Sequence, residues 1–388
     1  MSEATCDIAI IGGGPAGAAM AVALRDQAPF LSVTLIERTA YDTPRSGETL
    51  SPEVRLPLSR LGVWGSFLRD GHLASRGTAS CWSRPEPSTQ DTHMSPWGSA
   101  WHLDRARFDE RLSLEATRLG VQMLRLTTLL DSERLGKDGY RLHLSQRKAG
   151  ATTLRARFVV DATGWKATFA MSQGARRRVR DRCIAVYGTF QRRTGEPFPT
   201  EALVESCPEG WWHSALLPNG RVAVALVGDG DSLHGLRWAT PQPWMALLDQ
   251  APATQARLAV CDFAGESLVA APILVGQLDA MHGERWVAVG DAACTQDPLS
   301  AQGVASAMDS ALLAAGAVGQ YLRGDSEALR DYEATLQRRF EDHLRLRGHA
   351  YREEQRWRDA PFWKNRHEAF PAPPTAHQQH STPGGLPT

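Results

Sequence analysis

Three glycines near the start of the chain have the spacing needed to bind a phosphate group. Residues 6–17 read CDIAIIGGGPAG, so Gly12, Gly14 and Gly17 stand in the pattern G-x-G-x-x-G directly after an apolar run. Glycine at these positions allows a tight turn, a close approach of phosphate to the backbone, and close packing of a helix on a strand. The chemistry that this pattern predicts is the binding of a dinucleotide through its pyrophosphate.

The elements that must position these glycines follow from the flanking residues. The apolar run 8–11 predicts a strand, and residues 15–24 are strong helix formers that begin with Pro15 and Ala16. The N-terminus of such a helix presents free N–H groups and partial positive charge to a phosphate. Pro15 and Ala16 therefore belong to the predicted cofactor site.

A second predicted strand, 33–36, carries the acidic residue that such a unit needs. It ends in Glu37, twenty residues after Gly17, where an acidic side chain binds a ribose hydroxyl. Arg38, next in the chain, is included in the predicted site. Two other interpretations are a glycine turn without a ligand and a signal peptide. The signal peptide is disfavoured because acidic rather than basic residues precede the apolar run.

Composition limits the class of protein. The 388 residues predict two intertwined domains or one large one, and 42% hydrophobic residues can bury a sizeable core. The formal net charge is zero, so no broad electrostatic attraction to nucleic acid or membrane is expected, and no apolar run is long enough to span a bilayer. The six cysteines form no C-x-x-C pair, which indicates reduced thiols in a cytoplasm and argues against a metal site.

Two later segments combine with the glycine motif to indicate a family. Residues 158–164 read FVVDATG, a buried strand that ends in a glycine turn, and residues 288–304 read AVGDAACTQDPLSAQGV. Together the three segments resemble flavoproteins of the para-hydroxybenzoate hydroxylase fold, which include aromatic hydroxylases, flavin-dependent halogenases and geranylgeranyl reductases. The resemblance implies FAD as the cofactor and covers the chain to about residue 325.

The same resemblance implies roles for particular residues. Asp291 corresponds to the aspartate that binds the ribityl chain, and a helix opening after it directs N–H groups at the flavin, where a helix N-terminus stabilises the anionic reduced ring. Arg105, in HLDRARF, matches a cofactor-contacting arginine, and Leu129 falls near the strand that contacts adenine through its backbone. The other matching residues are Pro298, Gln302, Gly303 and Val304 in the helix-opening segment, and Arg45, Gly47 and Glu48 in a segment that approaches the flavin in some relatives or is a solvated loop.

The fold class predicted is α/β, with a Rossmann-type FAD-binding domain of this fold, an antiparallel-sheet substrate domain and a C-terminal helix. The sheet is expected because residues 184–226 alternate between apolar and polar and are rich in aromatic residues. The predicted boundaries are 1–75, 100–175 and 275–325 for the discontinuous FAD-binding domain, 76–99 and 176–274 for the substrate domain, 326–365 for the C-terminal helix, and 366–388 for a disordered tail.

Within this fold, several departures point away from halogenation. Halogenases have an active-site lysine soon after the GE-x segment, whereas this chain has no lysine before Lys137. They also show W-x-W-x-I-P where residues 211–218 read WWHSALLP, and a Glu-Ser pair where Ser300 and Ala301 stand. A second G-x-G-x-x-G for a resident nicotinamide is absent, which leaves NAD(P)H or another external reductant as the source of electrons.

A finer resemblance is carried by SGETLSP, GSAWHLDRARFD, GWWHSALLPNGRVAVALVGD and DPLSAQGVASAM. These segments resemble flavoprotein maturases that oxidise a tryptophan of a partner protein to form a tryptophylquinone. The implied activity is FAD-dependent hydroxylation of that tryptophan, with a precursor of a quinone-dependent oxidase or an amine dehydrogenase subunit as the partner. A hydroxylase of a small aromatic molecule is the main alternative. A halogenase, a reductase and a binding protein that keeps FAD for structure are further ones.

Aromatic oxygenation needs a site that holds the ring and excludes water. Candidates for the lining are Trp82, Trp101, Trp211 and Trp212, although each is also explained by core packing. Glu48 and His213 are the candidate catalytic residues, and His102 is a further candidate proton carrier, since a histidine can carry a proton near neutral pH. A purely structural role for each histidine is the other interpretation.

Overall fold

The structure is a computed structural model that describes residues 3–43, 45, 47–92, 95–147, 150–234, 241–264 and 268–369. The predicted tail begins inside a helix, because residues 366–369 are helical. The remainder of that predicted tail lies outside the described residues.

The described part of the chain contains helices of very different lengths. In chain order they are α1 (Pro15–Gln27), α2 (Arg55–Arg60), α3 (Trp64–Arg69), α4 (Arg105–Arg118), α5 (Thr168–Ser172), α6 (Gly230–His234), α7 (Gln242–Ala246), α8 (Pro252–Leu258), α9 (Gly303–Leu322), α10 (Ala328–Glu353) and α11 (Pro361–Ala369).

Strands make up most of the rest. In chain order they are β1 (Ala4–Ile11), β2 (Val33–Glu37), β3 (Thr49–Leu50), β4 (Leu73–Ser75), β5 (Gly77–Cys81), β6 (Ser88–Asp91), β7 (Ala100–His102), β8 (Gln122–Arg125), β9 (Thr127–Arg134), β10 (Tyr140–Gln146), β11 (Gly150–Asp161), β12 (Arg177–Arg192), β13 (Ala202–Cys207), β14 (Gly210–Leu216), β15 (Arg221–Gly228), β16 (Cys261–Phe263), β17 (Val269–Leu278), β18 (His282–Gly283), β19 (Trp286–Ala288) and β20 (Cys294–Thr295).

The first sheet holds the glycine motif at one end. Its central order is β18-β19-β11-β1-β2-β8, and the pairs from β19 to β8 are parallel. Residues 8–10 of β1 and 158–160 of β11 are fully buried, and they pack with α1 and α9 in one core. Parallel strands that are covered by helices on both faces appear in the sequence as continuous apolar runs. The apolar runs of this chain therefore predicted the buried strands of this sheet. The predicted α/β class is confirmed.

The second sheet builds the opposite wall of the molecule's central cavity. Its order is β20-β17-β12-β15-β14-β13-β5-β6, with β16 paired to β12, and every pair except β5 with β13 is antiparallel. One face packs against α7 and α8 in a second core. Because successive side chains of a strand point to opposite faces, the other face is left for the cavity and the C-terminal helices.

The C-terminal segment differs from its prediction as a single helix over 326–365. It forms two helices, α10 and α11, with a break after Glu353. Tyr351, Phe362 and Trp363 are at most 1% exposed and form a third core with Trp211 of β14. The mixed charges of α10 predict a solvated helix that packs on one face, and its last two turns follow this pattern, with Arg347 and Tyr351 buried and His349 exposed.

Two further observations concern the predicted environment. Within the ranges described above, no helix combines the length and the apolar character that crossing a membrane requires. All six cysteines are free thiols, and five of them are buried.

We expect His72 to make the fold acid-sensitive. It is 8% exposed, its ring lies 4.8 Å from that of Phe67, and neither ring nitrogen has a hydrogen-bond partner. Burial lowers the pKa of His72 to about 4 from its ordinary 6.5. As the pH falls below 6.5 the unfolded chain takes up a proton that the folded chain refuses, so stability is lost between pH 6.5 and about 4.

Replacing His72 by phenylalanine removes this contribution. Between pH 7 and pH 5 the free energy of unfolding of the wild-type protein should fall by about 2 kcal/mol more than that of the His72→Phe variant. The difference accumulates at about 1.4 kcal/mol per pH unit below pH 6.5. The measurement is the free energy of unfolding in urea at both pH values. His349→Gln, at a histidine whose side chain is 70% exposed, is the control. Equal losses in the wild type and the His72→Phe variant would contradict the prediction.

Candidate active site

The three glycines of the first motif have different surroundings. Gly12 has a φ of +107°, and a Cβ there would lie 2.2 Å from the carbonyl oxygen of Ala162. A Cβ on Gly17 would lie 1.8 Å from the carbonyl oxygen of Gly12, so α1 can approach β1 only with glycine at this position. A Cβ on Gly14 would meet nothing within 4 Å. Packing therefore requires glycine at Gly12 and Gly17, whereas Gly14 faces open space of the kind that a ligand occupies.

Glu37 lies beneath the glycine loop. One carboxylate oxygen accepts a hydrogen bond from the backbone N–H of Gly13 at 2.8 Å, and the other accepts from the N–H of Thr39 at 2.9 Å. Arg45 donates to the same carboxylate at 3.3 Å and to Asp109 at 2.8 Å. The carboxylate thus holds the loop in shape before any ligand contributes.

Other predicted cofactor residues lie further from the glycine loop. Arg105 donates to the carbonyl oxygen of Gly47 at 3.0 Å and pairs with Asp109 at 3.3 Å. Arg38 is exposed at the end of β2, and Leu129 lies on β9, half-buried against the core. Two arginines, Arg45 and Arg105, therefore converge on one buried aspartate beside the cavity.

A cavity of about 380 Å³ lies between the glycine loop, residues 289–307 and the second sheet. It brings together eight of the predicted cofactor residues, which are Gly14, Pro15, Ala16, Arg105, Asp291, Pro298, Gly303 and Val304, together with Gly47 and Glu48. The predicted residues Gly12, Gly17, Glu37, Arg38, Arg45 and Leu129 are not part of this lining, and Gln302 lines a neighbouring cavity of about 480 Å³.

The turn at Gly290 and Asp291 forms one side of the cavity. Gly290 has a φ of +59°, and a Cβ there would lie 2.6 Å from the Cβ of Ala16, so the turn packs directly on α1. Arg177 donates to the carbonyl oxygen of Asp291 at 2.9 Å. The Asp291 side chain is exposed into the cavity although protein surrounds it, and this desolvation raises its pKa against the opposing effect of Arg177 and Arg105.

The N-terminus of α9 faces the same cavity. Gln302 and Gly303 are exposed there, and a Cβ on Gly303 would meet nothing within 4 Å. Helix α9 is twenty residues long, so its first N–H groups and its dipole create positive potential at this end. Open space at both Gly14 and Gly303, each at a helix N-terminus, fits a cofactor that carries phosphate at one end and an electron-accepting ring at the other.

Asp297, which sequence reasoning missed, fixes the loop that leads into α9. Its carboxylate accepts hydrogen bonds from the N–H of Leu299 at 3.0 Å, from Nε of Arg347 at 2.7 Å and from the hydroxyl of Tyr351 at 3.1 Å. Tyr351 in turn accepts from the indole N–H of Trp211 at 3.1 Å. The available signal was the i,i+4 pair of Arg347 and Tyr351, whose side chains lie on one face of α10.

Trp211 is the one predicted tryptophan that lines the cavity. The sheet wall consists of Thr78, Tyr187, Ala202, Val204, Trp211, His213, Ala225 and Val227, all on one face of the second sheet. Trp212 points to the opposite face, where it is fully buried with its ring 5.0 Å from that of Trp244. The expectation that adjacent tryptophans share the lining therefore fails for Trp212, because side chains alternate along β14.

The other two predicted tryptophans serve the framework. Trp82 donates from its indole N–H to the carbonyl oxygen of Ala350 at 2.7 Å and packs against the C-terminal helices. Trp101 lies on β7, with its ring 5.1 Å from Phe67 and nearly perpendicular to it. Both belong to packed cores and not to the cavity lining.

The two candidate catalytic residues meet in this cavity. Burial raises the pKa of the Glu48 carboxyl group and lowers the pKa of His213 to about 4. His213 lies 3.3 Å, through Nε2, from the hydroxyl of Thr49, which lies 3.2 Å from Nδ1 of His102. Burial therefore shifts both groups toward their neutral forms, and His213 can offer a neutral imidazole to a bound ring. His102 was a predicted proton carrier, whereas Thr49 was not among the predicted site residues.

The curated protein LodB of Marinomonas mediterranea, named as an FAD-dependent oxidoreductase, is similar over nearly the whole chain. The two are 27% identical over 390 residues, which cover 94% of this chain and 98% of LodB. The similarity therefore spans both sheets and α10.

Two solved structures have the same fold. The flavin-dependent halogenase CmlS superposes with a TM-score of 0.83 at 25% identity and covers 94% of this chain and 68% of its own. QhpG, a peptidyl tryptophan dihydroxylase essential for tryptophylquinone cofactor biogenesis, has a TM-score of 0.74 at 26% identity and covers 94% of this chain and 79% of its own. The predicted resemblance to this group of flavoproteins is confirmed.

Gly14→Val should remove flavin without unfolding the protein. The added side chain meets no protein atom within 4 Å of its Cβ, so we expect folding to be retained while the phosphate approach is blocked. The measurement is the flavin absorbance after reconstitution with FAD, together with the melting temperature of the apoprotein. Gly65→Val is the matched control, because a Cβ there has only an ordinary 3.6 Å contact with Arg69. Full flavin content in Gly14→Val would refute the assignment.

Residues 5–346 match a single protein family, described as FAD binding domain. The matched range contains the glycine motif, the Asp291 turn and the start of α9, so it includes both ends of the cavity. The match covers well over half of the chain and agrees with the relatives above. The chain therefore belongs to the FAD binding domain family and is an FAD-dependent oxidoreductase.

Proposed function

We propose that this oxidoreductase hydroxylates a tryptophan side chain of a partner protein during the biogenesis of a cysteine tryptophylquinone cofactor. The observation that carries the proposal is the likeness to QhpG, the peptidyl tryptophan dihydroxylase, over 94% of the chain at 26% identity. The likeness to LodB over 94% of the chain is of similar extent. An aromatic-lined cavity beside the cofactor end of α9 is consistent with an aromatic substrate.

The residues that would hold FAD can be assigned from the cavity. Gly14, Pro15 and Ala16 receive the pyrophosphate at the N-terminus of α1, and Asp291 accepts hydrogen bonds from the ribityl chain. Pro298 to Val304 face the flavin ring, where the dipole of α9 stabilises negative charge. Glu37, outside the cavity lining, is assigned to the ribose, with Arg38 beside it and Leu129 at the adenine, and Arg45 and Arg105 are further proposed cofactor contacts. Bound FAD supplies two-electron redox chemistry and the capacity to activate dioxygen.

The sheet wall would hold the substrate ring. Trp211 presents an aromatic surface whose orientation is set by its hydrogen bond to Tyr351, and Val204 and Val227 keep the neighbouring surface apolar. Such a wall excludes water from the reacting ring. Glu48 and His213 supply the convergent polar groups, and their neutral forms cost less to bury than charged ones.

Partner and reductant follow from the same proposal. The substrate is a tryptophan of a precursor protein, namely a quinone-dependent oxidase or an amine dehydrogenase subunit. Electrons come from NAD(P)H or another external reductant. A small aromatic molecule as the substrate is the alternative, since a cavity of this size also accepts one.

Oxidation should depend on the partner. With FAD, a reductant and dioxygen, the holoenzyme should add oxygen to one tryptophan of the precursor, detected by peptide mass spectrometry. Oxygen consumption should rise on addition of the precursor and stay low with free tryptophan, because the free amino acid lacks the surface that delivers the side chain. The control is a precursor in which the target tryptophan is replaced by phenylalanine.

Oxidation that does not depend on a precursor protein would favour a small aromatic molecule as the substrate. Rapid hydroxylation of a free small aromatic compound, unaffected by any precursor, would contradict the proposed function. Candidate precursors are those encoded beside the gene for this protein.

Halogenation is the second candidate, favoured by the superposition on CmlS. Among the described residues that line the cavity there is no lysine, and the first lysine of the chain is Lys137. With reduced flavin, dioxygen and chloride or bromide, we therefore expect no halogenated tryptophan by mass spectrometry. Detection of chlorotryptophan or bromotryptophan would reverse the choice between the two activities.

A further inference from the structure

We propose that His213 accepts the indole N–H of the substrate at Nδ1, and that Thr49, His102 and the carbonyl group of Thr200 hold His213 in the one neutral tautomer able to do so. The identity of the ring rests on the proposed function. The tautomer is a property of this chain alone and can be measured without turnover.

A chain of hydrogen bonds begins at the buried ring of His102. His102 is fully buried on β7, and its Nε2 lies 2.8 Å from the carbonyl oxygen of Thr200. A carbonyl oxygen can only accept, so Nε2 of His102 carries the proton. A neutral imidazole has one N–H, which leaves Nδ1 of His102 as an acceptor.

The direction of each following bond is then determined. Thr49 lies 3.2 Å from Nδ1 of His102, and because that nitrogen accepts, the Thr49 hydroxyl donates its proton there. The oxygen of Thr49 retains its lone pairs and lies 3.3 Å from Nε2 of His213. Nε2 of His213 must therefore be the donor. In the neutral ring this leaves Nδ1 of His213 without a proton.

The surroundings keep both rings neutral. Burial lowers the pKa of His102 to about 4, and burial together with the neighbouring His102 and Arg257 lowers that of His213 to about 4. Arg257, on α8, is the cation that faces the pair, and it donates to the carbonyl oxygen of Glu201. Glu48, the residue before Thr49, is also buried, which raises the pKa of its carboxyl group. The lowered pKa of both histidines favours their neutral rings at neutral pH.

His213 is placed where a bound ring would meet it. It lies on the cavity wall two residues from Trp211 on the same face of β14, and its cross-strand neighbours are Val204 and Ala225. No hydrogen bond from Nδ1 to another described residue is present. An indole N–H is a donor only, so an unprotonated nitrogen between apolar cross-strand neighbours is its complement, and burying the N–H without an acceptor is costly.

The first experiment reads the tautomer directly. Histidine ¹⁵N spectra of the FAD-loaded protein should show Nε2 of His213 protonated and Nδ1 unprotonated at pH 7, with the signal assigned by its loss in His213→Gln. Thr49→Val, which keeps the shape but removes the hydroxyl group, should abolish this preference. Thr117→Val is the matched control, because its hydroxyl bonds within α4. A proton on Nδ1 in the wild-type protein would overturn the proposal.

The second experiment measures recognition. N-acetyltryptophanamide and its benzothiophene analogue, in which sulfur replaces the N–H, are titrated into the FAD-loaded protein by calorimetry. The wild type should bind the indole about 3- to 10-fold more tightly, the range expected for one buried hydrogen bond. Thr49→Val should lose the difference and Thr117→Val should keep it. Equal affinities in the wild type, or no binding of either compound at millimolar concentration, would refute indole recognition by His213.

The outcomes separate this inference from the proposed function. If the tautomer and the discrimination are found but no precursor is oxidised, indole recognition stands and the proposed partner reaction fails. If a precursor is oxidised while the wild type does not discriminate between the two compounds, the reaction stands and the role of His213 fails.

Discussion

The buried carboxylate of Asp297 is the point at which the loop before α9, the second sheet and the C-terminal helices are joined. It is 3% exposed and accepts hydrogen bonds from Arg347 and Tyr351 of α10, while Arg347 also pairs with Asp181 of β12. Arg366 of α11 extends the network from Asp181 to Asp229. Removing one partner of a buried ion pair costs about 3–5 kcal/mol, because the other charge is left uncompensated. The network therefore orders the loop before α9, although a buried pair is not by itself evidence of high stability.

This arrangement links the cofactor side of the cavity to the substrate side. The loop after Asp297 leads into the N-terminus of α9, and the Tyr351 hydroxyl that reaches Asp297 also accepts the indole N–H of Trp211. A change in the position of α10 would therefore move both walls of the cavity together. Helix α10, which carries none of the predicted site residues, therefore contacts both walls of the cavity through Arg347 and Tyr351.

The polar groups of the cavity share one physical condition, which is desolvation. It raises the pKa of Glu48 and Asp291 and lowers that of His102 and His213. In each case burial shifts the equilibrium toward the neutral form, and in the two histidines, whose pKa is lowered to about 4, the neutral ring has a defined donor and a defined acceptor. A halogenase and a hydroxylase can share this fold because the fold delivers the flavin site, whereas the few side chains on the second sheet decide what is bound beside it.

Local patterns in the chain predict the features that depend on sequence neighbours. The spacing of the glycines, the strand before them and the helix after them predict a dinucleotide site, and the resemblance of the Asp291 segment to a flavoprotein family implies FAD and the α/β fold. Which tryptophan lines the cavity depends on the folded chain, because Trp211 and Trp212 point to opposite faces of β14 and only sheet packing makes one face a cavity wall. The fold also places one face of α10 beside Trp211 and brings together Thr49, His102 and His213, which lie far apart in sequence and meet through strand pairing and sheet packing.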